Sequence, residues 1–300
     1  MKDNYEVVIR LENFKKNYGS FTAVNNINLE VKKGDFFGFI GPNGAGKSTT
    51  INCILNFLFP TEGKITILGL DSVKDSVEIK KRVGFVPSDV FYYDNLKIKD
   101  LLQYSNSFYG KIDKSLMKKY VKLFDIPMNK KFGELSSGNK KKVAIVQSLL
   151  HNPELLILDE PSSGLDPLMQ ARLFEVLKEL RQNGTTIFMS SHILGEVQKY
   201  CNKVAFIKDG EIITNGGMDD ILDKDLKIVK IISSDINEIK KQLKVKDIQQ
   251  VVTEDKTISF MYKGDINDLI KLLTDYKIDD LSIHTPDLDD LFLNQYKEVK

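Results

Sequence analysis

The segment of this 300-residue chain best suited to chemistry is Gly41-Pro42-Asn43-Gly44-Ala45-Gly46-Lys47-Ser48-Thr49. It fits the phosphate-binding pattern G-x-x-x-x-G-K-[ST]. Glycines let a backbone curl around an anion and turn successive N–H groups inward. A helix starting near Lys47 adds the positive end of its dipole. Lys47 has the reach for β- and γ-phosphates, and Ser48 offers a hydroxyl to Mg²⁺. A second chemical segment follows more than a hundred residues later, where the apolar run Leu155-Leu156-Ile157-Leu158 ends in Asp159 and Glu160. An aspartate at the carboxyl end of a buried parallel strand can hold Mg²⁺, directly or through water. Glu160, one residue on, is placed to act as general base on an attacking water.

The elements that must position these residues follow from hydrophobic spacing. Residues 36–40 predict a short buried strand before the loop, and residues 50–59 an apolar helix ended by Pro60. Strand patterns at 7–11, 27–31 and 64–68 surround them. From about 96 to 131 the period turns helical, through Leu101, Leu102, Tyr104, Phe108, Leu116, Val121, Leu123 and Phe124. This predicts a helical subdomain at about 96–150, inserted into a parallel α/β core that resumes at 155–158 and 186–189. Asp209-Gly210 between two apolar runs signals a hairpin. After about residue 220 the order β-α-β-β-α-β predicts a small ferredoxin-like α+β domain, with strands at 226–233, 248–253, 257–262 and 278–283 and helices at 236–243 and 266–273. The expected domains are therefore 1–220 and 221–300, the second closed by a capped helix at 286–293.

Composition narrows the function classes. The formal net charge is +1, which gives no strong field for a polyanion, so no nucleic acid partner is expected. The two cysteines, Cys53 and Cys201, lie far apart and suggest a reducing compartment without a disulfide framework. The opening residues lack the apolar core of a signal peptide. No uncharged run approaches the roughly eighteen residues of a membrane span, so the chain could not itself form a transport pore.

Between the two chemical segments lies Leu135-Ser136-Ser137-Gly138-Asn139, and after them come Ser163-Gly164-Leu165-Asp166 and Ser190-Ser191-His192. The order of phosphate loop, LS-x-G segment, apolar strand with Asp-Glu, and terminal histidine resembles an ABC-type ATPase subunit. The resemblance implies a P-loop NTPase cassette that takes ATP and Mg²⁺. It implies that two cassettes, as homo- or heterodimer, sandwich two ATP molecules head to tail. Ser136 and Gly138 of one would then cap the γ-phosphate held by Lys47, Ser48, Asp159, Glu160 and His192 of the other. Ser137 replaces the usual first glycine of that segment, and Asn139 the usual glutamine.

The same resemblance matches Tyr18 to the aromatic that stacks on adenine, although a half-buried strand tyrosine is the alternative. It matches Asp166 to a loop that faces the dimer interface. Lys140-Lys141-Lys142 read equally well as a solvated helix face. Ser88 occupies the position of a usual glutamine and is too short to reach metal and water in the same way; Asp89 or water would fill the gap. The closing helix is similar to that of drug and antibiotic exporters. A separate multi-span membrane permease is the expected partner, and the cytoplasmic face of the cell membrane the expected location. Phe91-Tyr92-Tyr93 follows Ser88, and consecutive residues cannot all face one core, so at least one is expected to be exposed or to meet a partner. An ABC-type ATPase working on ribosomes or DNA, and a weakly hydrolysing ATP-gated binding module, remain as alternatives.

Overall fold

A computed structural model describes residues 6–109, 113–223, 225–242 and 248–297. Residues 1–5 and the expected helix end at Leu243 lie outside the described residues. The chain divides into two compact units, Met1–Gly216 and Gly217–Lys300.

In the first unit β1 (Val7–Tyr18) and β2 (Phe21–Lys32) form a long antiparallel hairpin that pairs from Val7↔Lys32 to Tyr18↔Phe21, with register shifts along its length. β3 (Phe36–Ile40) leads through the glycine-rich loop into α1 (Lys47–Ile54). Then come β4 (Glu62–Ile67), β5 (Leu70–Asp71), α2 (Ser76–Arg82) and β6 (Val83–Val86). The first sheet runs β2-β1-β4-β5 and is antiparallel throughout. Helix α1 is shorter than the apolar run suggested. Asn56 adopts φ 53, its N–H reaches Cys53 O at 3.1 Å, and Phe57 N–H reaches Asn52 O at 2.8 Å. This left-handed closure satisfies the last carbonyls and stops the helix five residues before the expected end. Phe57 and Phe59 are left exposed.

Three helices follow, α3 (Ile98–Ser107), α4 (Lys114–Leu123) and α5 (Ser137–Leu149). Leu101, Leu102, Tyr120, Phe124 and Phe132 are buried there. Asp113 caps α4 by accepting from the N–H groups of Ser115 and Leu116.

The core resumes with β7 (Leu155–Asp159), α6 (Pro167–Gln182), β8 (Thr186–Ser191), α7 (Leu194–Tyr200), β9 (Lys203–Lys208) and β10 (Glu211–Gly217). The second sheet runs β10-β9-β3-β8-β7-β6. Strands β9, β3, β8, β7 and β6 are parallel neighbours. Every residue of β3, β7 and β8 is buried, as a sheet covered on both faces requires. Parallel strands deliver their carboxyl ends to one edge. The loops after β3, β8, β7 and β6 therefore open on the same side. They carry Lys47, His192, Glu160 and Ser88. Asp209 and Gly210 turn from β9 into β10 at φ 50 and φ 80, the left-handed pair a two-residue hairpin needs.

The second unit contains α8 (Met218–Ile221), β11 (Lys227–Ser233), α9 (Ile236–Gln242), β12 (Ile248–Glu254), β13 (Thr257–Tyr262), α10 (Ile266–Leu273), β14 (Ile278–His284) and α11 (Leu288–Lys297). Its antiparallel sheet runs β12-β13-β11-β14, a split βαβ arrangement. Val229, Ile231, Ile258 and Phe260 form its core with Ile239, Leu269 and Leu273. Asp287 caps α11, its Oδ1 accepting from Asp290 N–H at 2.7 Å. Among the described residues no helix is long and apolar enough to cross a membrane.

Candidate active site

The loop ahead of α1 is built by close approach. Gly44 and Gly46 adopt φ 82 and φ 106. A Cβ on Gly46 would meet Ala23 O at 2.7 Å, and one on Gly41 would meet Ile207 O at 2.1 Å. Only glycine lets the loop lie this tightly on β2 and β9. Ala45 is buried, whereas Asn43, Gly44 and Ser48 are exposed; Pro42 and Thr49 are intermediate. Lys47 is buried, and its Nζ donates to Gly41 O at 2.6 Å and Pro42 O at 3.1 Å. Burial lowers its ammonium from the ordinary range, against the opposing fields of Glu160 and Asp159. These fields mark the two acids as close electrostatic neighbours of the loop lysine.

Asp159 ends β7 beside Ser190 of β8. Ser190 Oγ donates to Asp159 Oδ1 at 2.5 Å. The next residue, Glu160, adopts φ 48, a left-handed conformation costing a non-glycine residue about 1–2 kcal/mol. It is held there by its own N–H, which reaches Ser190 O at 3.3 Å and Ser190 Oγ at 3.1 Å. Glu160 Oε1 lies 3.1 Å from His192 Nδ1. One serine therefore fixes both acids, and the second acid meets the histidine. Mg²⁺ takes one or two protein oxygens and fills its octahedron with phosphate oxygens and waters. The exposed Ser48 hydroxyl and the Asp159 carboxylate match that demand. Among the described residues no cluster of three or more His, Cys, Asp or Glu stands ready for a metal held by protein alone.

The signature-like segment is organised separately. Ser136 caps α5, its Oγ accepting from Asn139 N–H at 3.4 Å. Gly138 approaches the next loop so closely that a Cβ there would sit 2.5 Å from Gly164 O. That loop is braced by Gln170 Nε2, which donates to Ser162 O at 3.2 Å and Leu165 O at 3.1 Å. The Asp166 carboxylate caps α6 by accepting from Met169 N–H at 3.0 Å. The close approach joins Gly138 to the 160–166 loop. Tyr18 ends β1 opposite Phe21, with an exposed ring and Lys16 Nζ 5.3 Å from its centroid.

One buried lysine beside the site escaped the sequence reading. Lys141 does not belong to a solvated face: it is 3% exposed. Its Nζ donates to Pro87 O and Ser88 O at 2.8 Å each and to Asp159 O at 3.4 Å. Burial lowers its ammonium to about 8, opposed by the fields of Asp159, Asp89 and Glu160. The signal for it was helical spacing, since Lys141 shares a face of α5 with the buried Ala144, Ile145 and Ser148. Beyond it, Ser88 and Asp89 are exposed. Of the three aromatics, Phe91 is 87% and Tyr93 67% exposed. Tyr92 instead packs edge-on against Phe132 at 5.1 Å, and its hydroxyl donates to Gln147 Oε1.

The family described as ABC transporter matches residues 24–163. The linearmycin resistance ATP-binding protein of Bacillus subtilis (strain 168) is 33% identical to this chain, over 96% of the chain and 97% of that protein. The bacitracin transport ATP-binding protein of Enterococcus faecalis is 34% identical, over 77% and 76%. A solved dimeric ATP-binding cassette in a post-hydrolysis state, bound to ADP and Pi, superposes with a TM-score of 0.64 at 26% identity, over 70% of this chain and 98% of that one. The expected P-loop cassette fold and ATPase class therefore stand, and the chain belongs to the ATP-binding subunits of ABC transporters.

Proposed function

We propose that this chain energises export through a separate multi-span membrane permease, working as one of two cassettes at the cytoplasmic face of the membrane. The observation that carries the chemistry is the convergence of Lys47, Asp159, Glu160 and His192 at the carboxyl edge of one parallel sheet. The export reading draws support from the near full-length likeness to a linearmycin resistance protein, which includes the second unit.

In this reading the N–H groups of residues 43–48 and the Lys47 ammonium hold the β- and γ-phosphates of ATP. Ser48 and Asp159 hold Mg²⁺, which when bound offsets charge on the transferring phosphoryl oxygens. Glu160 takes the proton of the attacking water. His192, whose Nδ1 lies 3.1 Å from Glu160 Oε1, contacts the γ-phosphate. Ser136 and Gly138 of a second cassette, identical or not, close over that phosphate, and Tyr18 stacks on the adenine. Closing the two cassettes drives the permease, and hydrolysis resets them.

Phe91 and Tyr93 supply the permease contact, as exposed aromatic rings on the loop after Ser88. The test is co-purification from the native membrane. A multi-span protein should accompany the chain and be lost when Phe91 and Tyr93 are replaced by Ser, with ATP binding intact. Recovery of ribosomes or DNA in its place overturns the transport reading.

A further inference from the structure

Helix α5 holds the loop after β6 at successive points. Lys141 Nζ binds Pro87 O and Ser88 O, Gln147 receives the Tyr92 hydroxyl, and Lys140 Nζ lies 3.9 Å from Asp94 Oδ1. The same Lys141 ammonium reaches Asp159 O at the end of β7. An ammonium has three N–H donors, and here each has a carbonyl acceptor. None is left for a nucleotide. Lys141 is thus not built to touch substrate. It ties three chain segments at one buried point: the helix that begins with Ser136 and Gly138, the Ser88 loop, and the strand that carries Asp159 and Glu160.

We propose that Lys141 is a positioning residue that makes these three segments move as one body and thereby sets the rate of ATP hydrolysis. Ser88 is too short to reach metal and water from the loop itself. Where the loop lies then decides where Asp89, or a water in its place, meets the site. The clasp also carries any displacement of Phe91 and Tyr93 to the acids without a long relay. Losing it frees the loop from β7 while the phosphate loop and Lys47 stay as they are. The effect belongs in turnover rather than in nucleotide affinity.

Lys141→Met keeps an unbranched chain one atom shorter and removes every donor. Its kcat should fall on the order of tenfold or more, as displaced catalytic geometry does, while KM for ATP changes by less than about threefold. Lys141→Gln, whose amide donates two N–H bonds, should recover part of the loss. The chain has no tryptophan, so Phe91→Trp gives a single reporter on the loop. Its fluorescence anisotropy should drop when Lys141→Met is added.

Unchanged kcat in a folded Lys141 variant, or unchanged anisotropy, overturns the proposal. So does a fall in turnover matched by an equal fall in ATP affinity. If the methionine variant does not fold, the glutamine variant decides by the same two readings. The inference rests on the assignment of Asp159 and Glu160. Full turnover in Glu160→Gln would defeat that assignment, whereas the anisotropy comparison would still judge the clasp.

Discussion

Gly138→Ala is the most geometric perturbation this site offers. The added methyl would lie 2.5 Å from Gly164 O, where Cβ contacts under 3.0 Å essentially never occur. The two segments must part by about half an ångström or more, an overpacking cost of about 1–3 kcal/mol. Which one yields follows from their bracing. The Gly164 side is held by both Gln170 bonds and by the Asp166 cap at 3.0 Å. On the Gly138 side, in the first turn of α5, the side-chain brace is the long 3.4 Å bond from Asn139 N–H to Ser136 Oγ. The signature-like segment therefore moves. For a unit of this size each kcal/mol lowers Tm by about 2–4 °C, so calorimetry should find a drop of roughly 2–12 °C. Turnover should fall by about ten- to a hundredfold if Ser136 and Gly138 must close accurately on a phosphate held by another cassette. ATP affinity of the isolated chain should be unaffected, because that affinity comes from the loop at Lys47. Phosphate release, calorimetric ATP binding and thermal melting separate these effects. Wild-type turnover in a protein whose Tm has fallen would show that this segment does not act on the phosphate, and the reasoning would be refuted.

Glu160→Gln keeps the shape and an oxygen toward His192 but removes the base, so hydrolysis should fall by about 10²–10⁴-fold. ATP should still bind, and an ATP-dependent dimer should persist on size exclusion; undiminished turnover would remove Glu160 from the chemistry. Lys47→Ala deletes a charge-assisted contact of about 1.5–3 kcal/mol, which lowers ATP affinity by roughly ten- to a hundredfold in calorimetry. Ser88→Gln should raise turnover by restoring reach, and Asp89→Ala should raise the Mg²⁺ requirement more than Ser88→Ala does. Both side chains are exposed, so stability should stay within about 0.5 kcal/mol, and identical magnesium titrations would place this loop outside the catalytic site.

The phosphate loop was legible because cradling an anion demands glycines at fixed spacing, and few other uses impose that pattern. The strands of the parallel sheet were legible because burial on both faces forces short unbroken apolar runs. What stayed hidden depended on long-range register or on single dihedrals. Nothing in 50–59 announces that Asn56 will turn left-handed and stop α1, since the apolar residues continue past it. Among Phe91, Tyr92 and Tyr93, only the position of Phe132 and Gln147 decides which ring is buried. Three consecutive lysines read as surface, and the middle one is internal only because three backbone carbonyls converge on it. Asp166 was read from its motif as an interface residue, while locally its carboxylate serves α6 as a cap.

The serine at the end of β8 has a wider meaning for how this acid pair could be transplanted. Asp159 and Glu160 are adjacent in sequence, yet their aim is set by Ser190, 31 positions from the first. Its hydroxyl orients one carboxylate and its oxygens anchor the N–H of the other. A graft of β7 with its two acids into a foreign sheet would transfer the residues without their orientation. The smallest portable unit is two neighbouring parallel strands, with the serine facing the aspartate in register and the histidine two residues further on. Directed libraries that vary the acids while holding β8 fixed would sample side chains around an unchanged frame. Libraries that vary Ser190 would re-aim both acids at once.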